Sequence, residues 1–221
     1  ETKDSNEAAV ALWKIYEKGV TAAEFNQVRL LGTWSFPNAA LHTSQPVAKL
    51  ADMKGKKYSV GNPISGAIMV ALGATPVTLR PDEAYQAISR GTIDGAVMPF
   101  TGMATFKLHE VAKAHLDAAL GGDAAAMIMN KAKYDALPAQ AKAAIDKASG
   151  LVFTQKLGAA TQAEWERGRS LVKDVVKTLA PDEEKIWKAA LEPVAQNWAK
   201  GAPNGEAVLK AFREEVAALR K

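Results

Sequence analysis

KYSVGNPISGAIMVALGATPVTLRPDEAYQAISRGTIDGAVMPF, residues 57–100, decides the reading of the fold. Lys57 to Val60 is a short strand, and Gly61-Asn62-Pro63 turns the chain. Ile64 to Leu72 then reads as an apolar helix, stopped at Gly73. Thr75 to Leu79 is a second strand. Pro81 to Arg90 is a helix with proline and two acids in its first turn, and Ile93 to Val97 is a third strand. Strand, helix, strand, helix, strand in so short a span requires parallel pairing through crossover helices. In such a sheet the carboxyl ends of the strands face a crevice where ligands bind. The loops that begin at Gly61, Arg80 and Met98 therefore mark a candidate cleft.

Outward from this core the pattern is mostly helical. Glu7 to Lys18 places Val10, Trp13, Ile15 and Tyr16 at helical spacing, and Gly19 closes the segment. Val28 to Phe36 reads as a strand broken by Pro37 and Asn38. From Met127 helix dominates. Pro138 to Lys177 is expected as one long, mostly helical stretch bent near Gly150 or Gly158, with further helices after Ala180-Pro181 and after Pro203-Asn204-Gly205. There are no internal repeats.

Composition bounds the function. The 221 residues suffice for one large domain or two small ones, and 48% hydrophobic with 24% charged residues is ordinary for a globular protein. The net charge of +4, from 28 basic and 24 acidic residues, is spread along the chain. Residues 61–120 carry 4 basic against 5 acidic side chains, so no basic stripe suggests nucleic acid. The absence of cysteine removes disulfides, thiolate metal sites and thiol catalysis. The opening ETKDSNEAA has none of the marks of a signal peptide, and no apolar run approaches a membrane-spanning length.

No catalytic set emerges. GNPISG spaces two glycines as a P-loop does, but Ala67-Ile68 stands where Lys and Ser/Thr belong. Pro63 occupies the position at which a dinucleotide fingerprint needs glycine. His42, His109 and His115 lack metal-pair spacing and read as surface or loop histidines. Ser59, Ser65 and Ser89 have no base nearby in sequence, and no nucleophile elbow occurs. The reading is a non-enzyme that needs no cofactor or metal.

The run LADMKGKKYSVGNPISGAIMVALGATPVTLRPDEAYQAISRGTIDGAVMP, residues 50–99, resembles the solute-binding subunits of TRAP transporters, the DctP-like extracytoplasmic receptors. The shared features are the Lys-Gly lead-in to a strand, a helix ending Leu-Gly-Ala, a Pro-Val strand, and a Glu-x-x-Tyr helix closed by Gly-x-Ile-Asp-Gly-Ala. MIMNKAKYDALPAQAKAAIDKA (127–148) and LAPDEEKIWKAALEPVAQNW (179–198) resemble later segments of the same family. The resemblance implies a periplasmic-binding-protein-like α/β fold of type II, in two lobes with parallel βαβ units and a long C-terminal helical region. Residues 1–36 would be the remainder of the first lobe and 37–123 the second lobe. Residues 124–163 would return to the first lobe, and 164–221 would be helices packing on both.

Function follows as an expectation: an extracytoplasmic receptor that captures a small organic acid, a carboxylate, in an interlobe cleft and passes it to membrane subunits. The setting implied is periplasmic, from an exported precursor. A truncated ligand-sensing or partner-binding module on the same fold is the alternative. Two departures matter. Roughly the first hundred residues of a typical member are missing, so the first lobe is expected to be incomplete, with an open strand edge that invites a homodimer or a domain swap. The family's arginine on the strand after Lys-Gly, which grips a carboxylate, is Ser59 here, and the usual polar strand end is Val97-Met98-Pro99. The expected ligand residues are Trp34, Phe36, Asn38, Ser59, Asn62, Arg80, Met98 and Phe100, with Arg80 supplying the charge that position 59 lacks.

Overall fold

The computed structural model describes residues 2–221. In chain order its elements are α1 (Ser5–Glu17), β1 (Val28–Ser35), β2 (Ala40–Thr43), β3 (Lys57–Val60), α2 (Pro63–Ala71), β4 (Thr75–Thr78), α3 (Pro81–Ser89) and β5 (Gly95–Met98). Two short helices follow, α4 (Gly102–Thr105) and α5 (Leu108–Val111), then β6 (Ala114–Asp117), β7 (Ala124–Asn130), α6 (Lys131–Asp135) and α7 (Ala139–Ala148). The chain closes with α8 (Leu151–Ser170), β8 (Val176–Thr178), α9 (Pro181–Gly201) and α10 (Gly205–Leu219). These fall into two compact units. Of the described residues, unit 1 comprises 2–37, 123–163 and 199–221, and unit 2 comprises 38–122 and 164–198.

Unit 2 holds the six-stranded sheet, in the order β4-β3-β5-β2-β6-β8. β3 runs parallel to both β4 and β5, as the crossovers through α2 and α3 require. Both helices begin with proline at the first turn, where a missing N–H costs nothing. Asn62 caps α2 by accepting from Ser65 N at 2.9 Å. β2 is antiparallel to β5 and to β6, so β5 and β6 share one direction, and β8 is parallel to β6. Five strands, β3, β4, β5, β6 and β8, consequently end at one edge of the sheet, at Val60, Thr78, Met98, Asp117 and Thr178.

Two apolar layers sandwich this sheet. Leu41, Tyr58, Val60, Val97 and Leu116 meet Met53, Met69, Leu72 and Trp187 on one side. Ala40, Ala96 and Phe100 meet Ile88, Met103, Leu108 and Val172 on the other. The alternation follows from the two-residue period of a strand buried on both faces.

Unit 1 contains the two-stranded antiparallel sheet β1-β7, whose register shifts between Leu30 and Gly32. Its core is formed largely by α1, through Ala8, Ala9, Ala11, Trp13 and Ile15. Glu7, nearly buried, accepts from Lys3 N at 2.7 Å and from Arg220 Nε and Nη2 at 2.7 and 2.8 Å, which ties the chain after α10 to α1. Lys18 pairs with Glu215 alongside.

The mostly helical stretch expected over Pro138–Lys177 forms with its break at Gly150, one of the two expected positions, and departs from helix only in its last part. Gly150, with φ of 72°, separates α7 from α8, because its left-handed backbone ends one helix before the next starts. The last part of the stretch is a 3-10 turn and strand β8, whose pairing with β6 overrides local helical preference. Strand β5 also starts two residues later than expected, at Gly95, after Asp94 has accepted from Lys57 N at 2.8 Å.

Candidate functional site

The common strand edge of unit 2 collects most of the expected ligand residues, but in different environments. Met98, at the end of β5, is partly exposed, and its carbonyl is held by His42 Nε2 at 3.0 Å. Asn38, just before β2, is partly buried. Asn62 stands at the β3 end with Oδ1 committed to the α2 cap. Ser59 is buried, on the opposite face of β3 from Tyr58 and Val60, so it lies under the edge rather than on it. Phe100 is fully buried as well, with its ring edge-on to His42 at 5.1 Å and to Trp165 at 5.5 Å. It supports the edge from beneath.

Arg80 is 72% exposed and turned toward its own helix. Its Nε and Nη2 donate to Asp82 at 3.1 and 3.4 Å, and Nη2 also pairs with Glu83 at 3.4 Å. Its backbone N–H donates to Glu83 Oε2 at 2.8 Å. Asp82, in turn, is held below the usual carboxylate range by the Arg80 guanidinium. Trp34 and Phe36 belong to unit 1, where they form an edge-on aromatic pair at 6.4 Å on one face of the chain. Phe36 is 39% exposed, enough to offer a ring to a ligand.

His42 and His115 are not the surface or loop histidines their spacing suggests. They lie opposite each other on β2 and β6, buried, with Nδ1 atoms 2.9 Å apart. A carbonyl only accepts, so His42 donates to Met98 from Nε2. Its Nδ1 must then accept the Nδ1–H of His115. Burial pushes both imidazoles toward the neutral form, His42 to about 3 and His115 to about 4. His109, on the exposed side of α5, fits the surface reading.

Sequence reasoning missed a further cluster at the edge. Arg169, in the last turn of α8, donates from Nε to Asp117 Oδ2 at 3.3 Å. Its guanidinium carbon sits 5.7 Å from the Trp165 ring and 6.0 Å from the Phe100 ring. Gly168 permits this approach, since a Cβ there would overlap the Phe100 carbonyl oxygen. The glycine in the helix's last turn was the available signal. Among the described residues, no group of three or more His, Asp or Glu side chains is arranged to hold a metal, and no helix is long and apolar enough to cross a membrane.

The six-stranded sheet brings five carboxyl ends to one edge, the place at which open α/β sheets hold ligands. Residues 3–201 match the family model described as bacterial extracellular solute-binding protein, family 7 (DctP), and the chain belongs to that family. It is similar to the C4-dicarboxylate-binding periplasmic protein DctP of Rhodobacter capsulatus, 30% identical over 210 residues, covering 92% of this chain and 60% of that protein. The chain thus spans less than two thirds of the length of this relative.

Among solved structures it resembles a marine metagenome TRAP solute binding protein from an unidentified microbe, specific for aromatic acid ligands. That match has 27% identity and a TM-score of 0.91, over 100% of this chain and 73% of the other. A TRAP solute binding protein from Rhodoferax ferrireducens T118, in complex with copurified benzoate, matches with 26% identity and a TM-score of 0.89, over 98% and 71%. The mixed α/β architecture is that of the TRAP solute-binding proteins.

Proposed function

We propose that the chain captures a small organic acid as the extracytoplasmic receptor of a TRAP-type transporter, in the periplasm after export of a precursor, and delivers it to membrane subunits. The observation that carries this reading is the shared edge where β3, β4, β5, β6 and β8 end, the place at which open α/β sheets bind ligands. Asn38, Asn62, Arg80 and Met98 form its rim in unit 2, over Ser59 and Phe100.

An acid with an apolar body suits these residues better than a small dicarboxylate. Met98 replaces a polar strand end and Ser59 replaces an arginine. Relatives that bind aromatic acids support the same class. The open side of β7, with Met127 and Ile128 exposed at 41% and 50%, supports pairing with a second copy at high concentration.

A thermal-shift panel of aromatic monocarboxylates and aliphatic dicarboxylates tests the reading, because a receptor gains stability from its solute by mass action. Benzoate-like acids should raise Tm by several degrees at millimolar concentration. A panel in which no acid moves Tm argues against a receptor.

A further inference from the structure

The two arginines at the edge of unit 2 differ in how much of their charge is available. Arg80 faces two carboxylates, Asp82 and Glu83, at 3.1 and 3.4 Å, so its cluster is net negative and largely open to solvent. An arriving anion meets more negative than positive charge there. Arg169 has one carboxylate partner among the described residues, Asp117, engaged through Nε. Its side chain is 35% exposed against 72% for Arg80, so its field is less screened by water.

The guanidinium is also preorganised. It lies over the rings of Trp165 and Phe100, which are themselves edge-on at 5.5 Å and 88°. Stacking on aromatic faces fixes the plane of an arginine without consuming its N–H donors. Gly168 sets the helix against the Phe100 backbone, and Phe100 follows Met98 by two residues, so one short loop links the charge to the apolar rim. Asp117 ends β6 and faces β2, which in turn pairs with the end of β5 at Met98. With strands about 4.8 Å apart, two strand spacings separate Asp117 from Met98, close to the length of a single-ring acid.

Resting on the receptor reading, we infer that Arg169 is the counter-charge for the solute carboxylate, and that its outer N–H groups select an anion whose apolar ring lies toward Met98. Arg80 modulates the rim without anchoring the acid. The charge missing at position 59 is thereby supplied from α8, across the sheet.

Calorimetric titration of the full 221-residue chain with benzoate decides this, using the parent, Arg169→Gln, Arg169→Lys and Arg80→Ala. Gln keeps most of the side-chain length and removes the charge, and near-UV circular dichroism with a thermal melt verifies that each variant folds. Arg169→Gln should weaken benzoate about ten- to a hundredfold, the value of a charge-assisted hydrogen bond, and Arg169→Lys should recover part of it. Arg80→Ala should cost about threefold, as expected of an exposed, internally paired charge. The neutral analogue benzamide should lose no affinity on Arg169→Gln. A folded Arg169→Gln variant that binds benzoate as the parent does overturns the inference while leaving the receptor reading standing. So does a larger loss from Arg80→Ala. A parent that binds no organic acid overturns both.

Discussion

His42 and His115 face each other across neighbouring strands with their Nδ1 atoms 2.9 Å apart, both buried and both neutral. Of the four ring nitrogens only His115 Nε2 lacks a partner among the described residues. A single proton arrangement satisfies the other three, and it suspends the Met98 carbonyl from His42.

Acid should therefore destabilise unit 2 early. The folded histidines titrate at about 3 and 4, whereas in the unfolded chain they take up protons below about pH 6.5. The unfolded state then binds more protons, so stability is flat above pH 7 and falls as pH drops from 6.5 toward 4. Between pH 7.5 and 5 the loss should be about 2–4 kcal/mol. Staying at or above pH 5 avoids most carboxylate titration. Urea unfolding at the two pH values measures it, and an unchanged midpoint would contradict the pair's neutrality.

Glu7 offers a second electrostatic test in unit 1. Its carboxyl is held below the usual range by the Arg220 guanidinium, against the opposing effect of burial. Glu7→Gln should cost about 1–3 kcal/mol, less than a fully buried pair because Arg220 is 45% exposed. A lowered folded pKa gives stability that is present above the ordinary carboxyl value and lost as pH falls through the folded one. Chemical denaturation at pH 7 and pH 4 should show the gap between parent and variant closing in acid.

Gly168→Ala probes the contact that brings α8 to Phe100. The new methyl group meets backbone, which cannot rotate away, so a loss of about 2 kcal/mol or more is expected. A thermal melt that leaves Tm within a degree of the parent would show that α8 is free to shift.

How much of this was legible in the sequence depends on the range of the interactions. Residues 57–98 declared their parallel units because Asn62, Pro63, Gly73, Pro81 and Gly91 punctuate them locally. β2 passed unnoticed because all four residues Ala40–Thr43 are buried, leaving no polar alternation to read. β8 has three residues and exists through its pairing with β6. The histidine pair joins residues 73 positions apart, and Arg169 reaches Asp117 over 52, so neither leaves a local pattern. Phe100 and Ser59 were placed near the edge by their strands, but which face of the strand they occupy is set by the packing of both layers.

Met98→Ala tests the apolar rim. Removing the partly buried thioether should weaken a ring-bearing acid about fivefold, near 1 kcal/mol, and leave a short dicarboxylate such as succinate less affected. Equal losses for the two solutes would place the ring elsewhere.

Calorimetry of the purified chain with benzoate and with succinate reaches the central claim, that the strand edge of unit 2 serves a receptor for organic acids with an apolar body. The account predicts saturable binding of one benzoate per chain with a negative heat-capacity change, and succinate at least tenfold weaker. Succinate binding more tightly than benzoate, or no heat from either at millimolar concentration, would contradict it.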